Sequence, residues 1–575
     1  MSLAQKCVCG TVVAALCLPA VGASGDSAEA ERTALCASQP KEGPGGLPVT
    51  LAQWAEGAHV FGGLGDSHRP ISTRSPEAQA YFDQGMRFLW AFNHDEATRS
   101  FAKAAELDAQ CAMCYWGISL TVGPNYNLPM MAQPRATIAW EALQQAQKHA
   151  AGTMPVEQAL IGALVSRYKG PDPLDPSTEG PVLAACAEAM KGIAQRFPDD
   201  NDVQTLTAEA MMNIHAWKLW SLDGVPAPGT EELLAILERV LAKDPHHPGA
   251  NHYYIHAVEA SPHPGKGVAA AERLPGMMPA AGHLEHMPAH IMQRVGRYED
   301  AAEANRYGIA ADLAYYAATK PLDYYVMYTA HNYQFLAFSA AMEGRKAETI
   351  EAARQSRALV SDDMLLTMPG TGWYTAELYA ALVRFGMWDE ILAKPAPNPK
   401  LAGLTGGYLY AKATALAAKG RVDEAKARLA ELERLAATVD AESSAGLDRL
   451  KHVLAVAIPN VSARIALAEG KADDAIGPLH EAVAEEDRLS YSEPANWFFP
   501  TRHVFGAVLI KAGRASQAET VYRNDLTRHP NNGWALYGLA QSLSMQSRAD
   551  EARTTQQQFE TAWKNADVVL TASAF

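Results

Sequence analysis

Apolar residues recur with the period of an α-helix over most of this chain, beginning near Ser75. The segment YFDQGMRFLWAFNHDEATRSFAKAAELD (Tyr81–Asp108) has small residues at Gly85, Ala97 and Ala104 and large apolar residues between them. Small residues at such positions let two helices pack closely against each other, and the helical period places them on the packed faces. The segment therefore predicts a pair of packed helices.

The same pattern returns in several later segments. The clearest copies are HIMQRVGRYEDAAEANRYGIA from His290, ATALAAKGRVDEAKARLAELERL from Ala413, ARIALAEGKADDAIGPLHEAV from Ala463 and GAVLIKAGRASQAETVYRNDLTRHPNN from Gly506. These segments resemble the tetratricopeptide repeat, a helix–turn–helix unit that stacks on copies of itself. The resemblance implies an all-α fold, a right-handed superhelical solenoid of roughly a dozen helix pairs. It also implies that the first helix of each unit lines a concave groove.

The N-terminus is typical of an export signal. Lys6 supplies a positive charge, residues 8–21 are mostly apolar, and Val21-Gly22-Ala23 fits a cleavage site of small residues. We therefore expect a signal peptide of the Sec type and a periplasmic or secreted protein. The expected organisation is a signal peptide (1–23), a Gly/Pro/Ser-rich linker or irregular lead-in (24–74), N-terminal repeats (75–245), histidine-rich repeats with a metal site (246–345) and C-terminal repeats (346–575).

Charge and cysteine usage narrow the choice of partners and of stabilising forces. The net charge is −15 and no block of Lys or Arg is present, which argues against nucleic acid as a partner. Beyond the signal peptide we expect no segment that crosses a membrane. The four cysteines left after cleavage are too few for a disulfide scaffold. A small molecule or a peptide in the concave groove is the expected ligand.

Histidines give the most informative pattern in the chain. His252 and His286 lie 34 residues apart, as do His256 and His290, and that interval is the length of one tetratricopeptide repeat. Each repeat thus offers an HxxxH pair on one face of its helix. Six of the eighteen histidines fall between residues 252 and 290. We expect the two pairs to meet across neighbouring helices and to bind one metal site with four imidazoles.

Several polar residues are expected near these ligands because they fall on the same predicted surface. Glu259, His283 and His331 are candidates for further ligands, or for orienting the ligands or moving protons, and Glu209 is a candidate general base. A site rich in histidine and poor in carboxylates suits copper, iron or zinc and does not suit calcium or magnesium. Copper is the first choice.

Cys111 and Cys114 form a second, separate pair of interest. Their spacing of three places both sulfurs on one side of a helix, which suits a redox-active disulfide or a soft-metal site. The alternative is that they are two small apolar residues in a helix contact. Haem attachment is excluded because Tyr115 stands where that motif requires histidine.

These patterns favour a metal-dependent oxidoreductase that uses copper or non-haem iron. One alternative is a zinc-dependent hydrolase or lyase, with three histidines on the metal and Glu259 or Glu209 as the base. The other alternative is a metal carrier or a peptide-binding scaffold without catalytic activity.

Overall fold

The computed structural model describes residues 46–129, 131, 133–174, 179–319, 325–368 and 370–575. The predicted signal peptide and the first part of the predicted lead-in lie outside the described residues. Helices account for most of the described chain, and successive helices pack against each other as pairs. The prediction of an all-α, tetratricopeptide-like solenoid is confirmed.

Among the described residues, one α-helix of the lead-in and eight of the N-terminal repeats precede the histidine-rich repeats, and polar side chains define several of their starts. Ser75 and Asn93 each accept a hydrogen bond from a backbone N–H in the first turn of the helix that follows, which satisfies a donor that the helix itself leaves unpaired. The helices are α1 (Leu51–Ala55), α2 (Pro76–Trp90), α3 (His94–Leu107), α4 (Ala112–Thr121), α5 (Gln133–His149), α6 (Pro155–Val165), α7 (Gly180–Arg196), α8 (Asn201–Met212) and α9 (Thr230–Lys243).

The middle repeats carry the histidine-rich sequence. Their helices are α10 (Pro248–Glu259), α11 (Val268–Arg273), α12 (Gly282–His286), α13 (Pro288–Arg294), α14 (Tyr298–Ala318), α15 (Val326–Met342) and α16 (Lys346–Leu359). Only Met287 separates α12 from α13. The two short helices together take the place of one helix in the repeat.

The C-terminal repeats complete the solenoid. Their helices are α17 (Asp362–Thr367), α18 (Thr371–Tyr374), α19 (Glu377–Arg384), α20 (Trp388–Ala393), α21 (Ala402–Ala418), α22 (Val422–Thr438), α23 (Leu450–Ala468), α24 (Ile476–Glu486), α25 (Thr501–Lys511), α26 (Ala515–Arg528), α27 (Gly533–Met545) and α28 (Ala549–Ala562). A small antiparallel hairpin of β1 (Ser444–Ala445) and β2 (Asp448–Arg449) pairs Ser444 with Arg449. Helix α23 is long and apolar enough to cross a membrane, and 61% of its apolar window is buried within the fold.

Glycines let the helices of one repeat approach each other around a single aromatic ring. The ring of Phe101 lies between Gly85 and Gly117, and an added Cβ at either glycine would come within 2.5 Å of it. Tyr522 lies between Gly506 and Gly538 in the same way near the other end of the chain. The small positions recognised in the sequence thus mark tight contacts between helices.

The segment before α2 has mostly irregular backbone, but it packs against the N-terminal repeats. Trp54 is buried, and the buried guanidinium of Arg69 forms ion pairs with Asp200 and Asp202 at 2.9 Å. From residue 46 onward the lead-in is therefore part of the folded unit.

The C-terminal repeats fold back onto the middle repeats. The indole N–H of Trp534 donates to the carbonyl of Ala341 at 2.7 Å, and the backbone N–H of Ala347 donates to Asp567 at 2.9 Å. The ring of Phe338 stacks on that of Phe499. This closure brings the connection between α24 and α25 against the histidine-rich repeats.

Candidate metal centre

Six histidines from four helices come together inside the middle repeats. They are His252 and His256 on α10, His283 and His286 on α12, His290 on α13 and His331 on α15. His331 is partly exposed and the other five are buried. The two HxxxH pairs meet where the ring of His256 lies 5.4 Å from that of His290. The structure thus brings together the four residues expected to bind metal.

The possible ligand atoms form three groups of three, whereas the sequence led us to expect one group of four imidazoles. A mixed group consists of His256, Glu259 and His290, and the other two groups contain histidines alone. The two all-histidine groups are His252, His256 and His283, and His286, His290 and His331. Within each group the ligand atoms lie within 4.8 Å of one another. Each all-histidine group combines an HxxxH pair with one histidine from the next helix of the stack. A third ring reaches each pair because packed helices are about 8–10 Å apart.

We call the two all-histidine groups the first triad (His252, His256, His283) and the second triad (His286, His290, His331). The Nε2 atoms of His252 and His283 are 3.2 Å apart, and those of His286 and His290 are 2.8 Å apart. The rings of His283 and His286, one from each triad, are 5.7 Å apart. His283 and His331, which we expected either as further ligands or as supporting groups, each lie in one triad with their ring nitrogens within 4.8 Å of the other ligand atoms.

The first ring of each HxxxH pair is oriented by an oxygen atom behind it. Nδ1 of His252 lies 2.6 Å from the carbonyl oxygen of Trp90, and Nδ1 of His286 lies 2.7 Å from Oδ1 of Asn305. The amide nitrogen of Asn305 donates to the carbonyl of Ala301, so its oxygen accepts. Both oxygens require a proton on Nδ1, which leaves the Nε2 lone pair of each ring directed into the centre.

The second ring of each pair is oriented by carboxylates. Glu259 lies between His256 and His290, with one oxygen 3.0 Å from Nδ1 of His256 and the other 2.6 Å from Nδ1 of His290. Glu493 approaches the same nitrogen of His290 at 2.9 Å. Glu259 accepts a hydrogen bond from Nδ1 of His256, whereas the contacts of Glu259 and Glu493 with Nδ1 of His290 are close ion pairs. Both rings therefore have Nδ1 on the carboxylate side and Nε2 on the side of the centre. Both oxygens of Glu259 contact Nδ1 atoms, on the side of the rings that faces away from the centre. A general base would need a free oxygen directed to the reaction site, so Glu259 is not placed as a base.

Burial keeps most of these imidazoles neutral. It lowers the pKa of His252, His283 and His286 well below the ordinary value, and the neighbouring histidines lower it further. For His331 the same two causes lower the pKa to about 3. A neutral imidazole is the form that binds a metal ion.

His290 differs because it touches two carboxyl groups. Burial would lower its pKa, but Glu259 and then Glu493 raise it to about 10. Burial would raise the pKa of Glu259, but the charges of His290 and His256 lower it to about 2. The two carboxylates thus favour the protonated form of His290, whose Nε2 lies 2.8 Å from Nε2 of His286.

Several ring nitrogens of the cluster have no hydrogen-bond partner among the described residues. Nε2 of His256 is buried and makes no hydrogen bond with any described residue, and a buried polar atom without a partner costs free energy. Nδ1 of His283 is in the same position. The residues present thus fit a metal ion, which would use the unpaired nitrogen and separate the crowded ones.

The cluster is covered, although the sequence suggested an open groove. The ring of Tyr126 lies 5.3 Å from that of His256, and the side-chain amide of Asn127 lies 3.4 Å from Nε2 of His283. Both belong to the connection between α4 and α5. The segment that carries Glu493 also reaches the cluster, through its contact with His290. Access is therefore narrower than the repeat pattern suggested.

Two other expectations from the sequence concern residues outside the cluster. The carboxylate of Glu209 accepts from Asn213 at 2.6 Å, and no hydrogen bond or ion pair of the described residues links it to the histidines. Glu209 is therefore not placed as a general base here. Cys111 and Cys114 are joined by a buried disulfide at the start of α4, so their sulfurs are not free to bind a soft metal.

Sequence reasoning missed the residues that orient the rings. Asn305 lies two helices later than the ring it contacts, Trp90 contributes only its carbonyl oxygen, and Glu493 comes from a distant connection. None of them belongs to a spaced motif. Asn305 lies on the inner face of a predicted repeat helix, and that position was the only available signal.

Comparisons with known proteins concern the fold alone. No family model matches the sequence, and no curated protein matches it either. Solved structures with similar helical arrays include a human IFIT1 dimer with m7Gppp-AAAA (12% identity, 80% of this chain and 90% of that chain, TM-score 0.32). Another is the APC/C hetero-tetramer Cut9–Hcn1 (13% identity, 86% of this chain and 76% of that chain, TM-score 0.31). Yeast Tom70 is a third (13% identity, 85% of this chain and 92% of that chain, TM-score 0.27). Similarity at this level says nothing about the histidine cluster.

Proposed function

We propose that this protein is an exported metalloenzyme in which each triad holds one transition-metal ion, and that it catalyses an oxidation or reduction. The supporting observation is that His252, His256, His286 and His290 all turn Nε2 inward while Nδ1 is held from behind. Such support of ligands is the usual arrangement of histidine metal sites. The substrate is a small molecule or peptide that reaches the centre from the groove.

Copper suits this centre best, and non-haem iron is the second choice. Imidazole is a good ligand for copper, zinc and iron, but mononuclear iron oxygenases usually add one carboxylate to two histidines. Here Glu259 and Glu493 face Nδ1 atoms, so neither carboxylate is directed to an ion in the triads. A bound copper ion would supply single-electron exchange with a substrate or with oxygen. The chain itself would hold the ion, exclude bulk water and keep the rings in one tautomer.

Metal binding tests the proposal first. We expect the mature protein loaded with copper and freed of excess metal to retain about two ions per chain, one for each group of three ligands. His252→Ala and His331→Ala should each lower this to about one ion. His246→Ala changes an exposed histidine next to α10 and should leave the metal content unchanged. Equal loss from all three variants would contradict the site.

Oxygen consumption tests the chemistry. With hydroquinone as the reducing probe, we expect the copper-loaded protein to consume oxygen and the zinc-loaded protein to consume none. Hydrolysis of ester or peptide probes by zinc-loaded protein without oxygen would support the hydrolase instead. Bound copper that exchanges freely and never turns over would indicate a carrier. A protein that binds no metal would be a scaffold.

A further inference from the structure

A row of buried tyrosines leads away from the first triad. The ring of Tyr328 lies 4.9 Å from that of His283, and the ring of Tyr325 lies 5.6 Å from Tyr328. Tyr315 follows, 4.9 Å from Tyr325. All three tyrosines are at most 8% exposed. Aromatic rings this close allow an electron to move between them in short steps, and the rate of such transfer falls steeply with distance.

Tyr325 is hydrogen-bonded to a buried carboxyl group. Its hydroxyl donates to Oδ1 of Asp312 at 2.9 Å, while the amide of Asn332 donates to Oδ2 at 2.9 Å. No lysine or arginine of the described residues forms an ion pair with Asp312, which is fully buried. Burial raises the pKa of this carboxyl to about 7. A buried carboxyl group without a cation costs free energy, and packing alone would be served as well by phenylalanine.

We infer that Tyr325 is a redox-active tyrosine that exchanges an electron with the metal centre through Tyr328 and His283 and a proton with Asp312. This inference rests on the proposed redox function of the centre. A phenol is much easier to oxidise when its proton can leave together with the electron. The 2.9 Å hydrogen bond to Asp312 is within the range in which a proton passes directly between two heavy atoms.

The step balances in electrons and protons. Oxidation of Tyr325 breaks its O–H bond and gives a neutral tyrosyl radical. The proton forms a new O–H bond on the ionised carboxylate of Asp312, and the electron passes through Tyr328 and His283 to an oxidised metal ion, whose charge falls by one. A small one-electron donor at the protein surface then reduces the radical, and the proton returns from Asp312.

The row also has an outer end. Tyr316 is only partly buried, its ring lies 6.1 Å from Tyr325, and its hydroxyl is 2.7 Å from Oγ1 of Thr329. An electron from a donor at this surface would therefore pass through the rings of Tyr316 and Tyr325 to reach Tyr328. Leu313 lies three residues before Tyr316 on α14 and is 47% exposed. It offers a place for a photosensitiser.

Tyr253 provides a matched control. It is fully buried, and its ring lies 5.2 Å from His252, another ligand of the same triad. Its hydroxyl has no hydrogen-bond partner among the described residues. Tyr253 thus shares the proximity of Tyr328 to the centre but lacks the proton acceptor of Tyr325.

The first experiment needs no metal. A ruthenium polypyridyl label on Leu313→Cys is oxidised by a flash with a soluble quencher, and the tyrosyl radical is followed by transient absorption in the metal-free protein. We expect a long-lived radical that falls to background in Tyr325→Phe and Asp312→Asn and persists in Tyr253→Phe. Equal radical yields in all four proteins would overturn the inference. Thermal melting identifies any variant that fails to fold. If either Tyr325→Phe or Asp312→Asn fails to fold, the radical yield of the other one tests the inference.

The second experiment uses the copper-loaded protein without substrate. Treatment with peroxide should give a tyrosyl signal in electron paramagnetic resonance, which Tyr325→Phe removes while the copper content stays unchanged. If copper cycles between its oxidation states but Tyr325→Phe leaves the radical as it was, the relay is wrong and the proposed function stands. If the bound metal never changes its oxidation state, the proposed function itself fails.

Discussion

Glu493 places a carboxyl oxygen 2.9 Å from Nδ1 of His290, on the side of the ring that faces away from the centre. The two residues are far apart in sequence and meet because the connection between α24 and α25 folds into the groove of the middle repeats. Burial and the nearby charge of Glu259 raise the pKa of Glu493 to about 7. The carboxyl group therefore supports one ligand of the second triad from a different part of the solenoid.

Loss of this carboxylate should weaken metal binding without removing a ligand. We expect Glu493→Gln to raise the dissociation constant for copper by about 10–100-fold, the usual effect of changing a group that orients a metal-bound histidine. Competition with a chromophoric chelator measures it. Glu285→Gln is the control, because Glu285 lies next to His286 on α12 but accepts from the backbone N–H of Gly276. A similar change in both variants would contradict the role of Glu493.

The contact between Gly117 and Phe101 should be sensitive to a single methyl group. Gly117→Ala places a Cβ within 2.5 Å of the ring, and such overpacking typically costs about 1–3 kcal/mol of unfolding free energy. Gly192→Ala is the control, since Gly192 lies in α7 with no atom within 4 Å of the added Cβ. It should stabilise by about 0.4–1 kcal/mol. Urea unfolding measures both, and equal effects would show that the predicted tight contact is absent.

His94 should make the protein less stable in mild acid. Burial, and then the charges of Arg167 and Arg135, lower its pKa to about 3. The unfolded chain takes up a proton near pH 6.5 and the folded protein does not until about pH 3, so stability is full above 6.5 and falls as the pH drops. Between pH 7 and pH 5 this group should cost about 2 kcal/mol.

Urea unfolding of metal-free protein at the two pH values tests the contribution of His94. His94→Gln cannot take up the proton and should reduce the loss between pH 7 and pH 5. His246→Gln changes an exposed histidine and should leave the loss as it is in the unchanged protein. An unchanged loss in His94→Gln would show that His94 titrates normally in the folded state.

The disulfide between Cys111 and Cys114 should be structural. Replacing both by serine should lower the unfolding free energy by about 2 kcal/mol, as expected for so short a closed loop, and should leave the copper content unchanged. Elemental analysis and urea unfolding measure the two quantities. Loss of bound copper in the double variant would instead connect these cysteines with the metal centre.

The sequence was sufficient for the helical solenoid and for the meeting of the candidate ligands on α10, α12 and α13. Helix pairs repeat a local pattern, so the small positions Gly85 and Ala104 and the 34-residue offset of the histidines can be recognised without knowledge of distant contacts. Equivalent positions of stacked repeats are neighbours in space. The pairing of His256 with His290 follows from that geometry alone.

Only the tertiary structure decided how the histidines divide and what supports them. His331 completes the second triad because α15 packs beside α12, and Glu493 reaches His290 because the C-terminal repeats close over the middle ones. Burial, which keeps the imidazoles neutral, also depends on this closure and on the connection that carries Tyr126. Contacts between parts of the chain that are distant in sequence produce no repeating pattern in the sequence. They form only when the solenoid folds back on itself, so the sequence alone does not predict them.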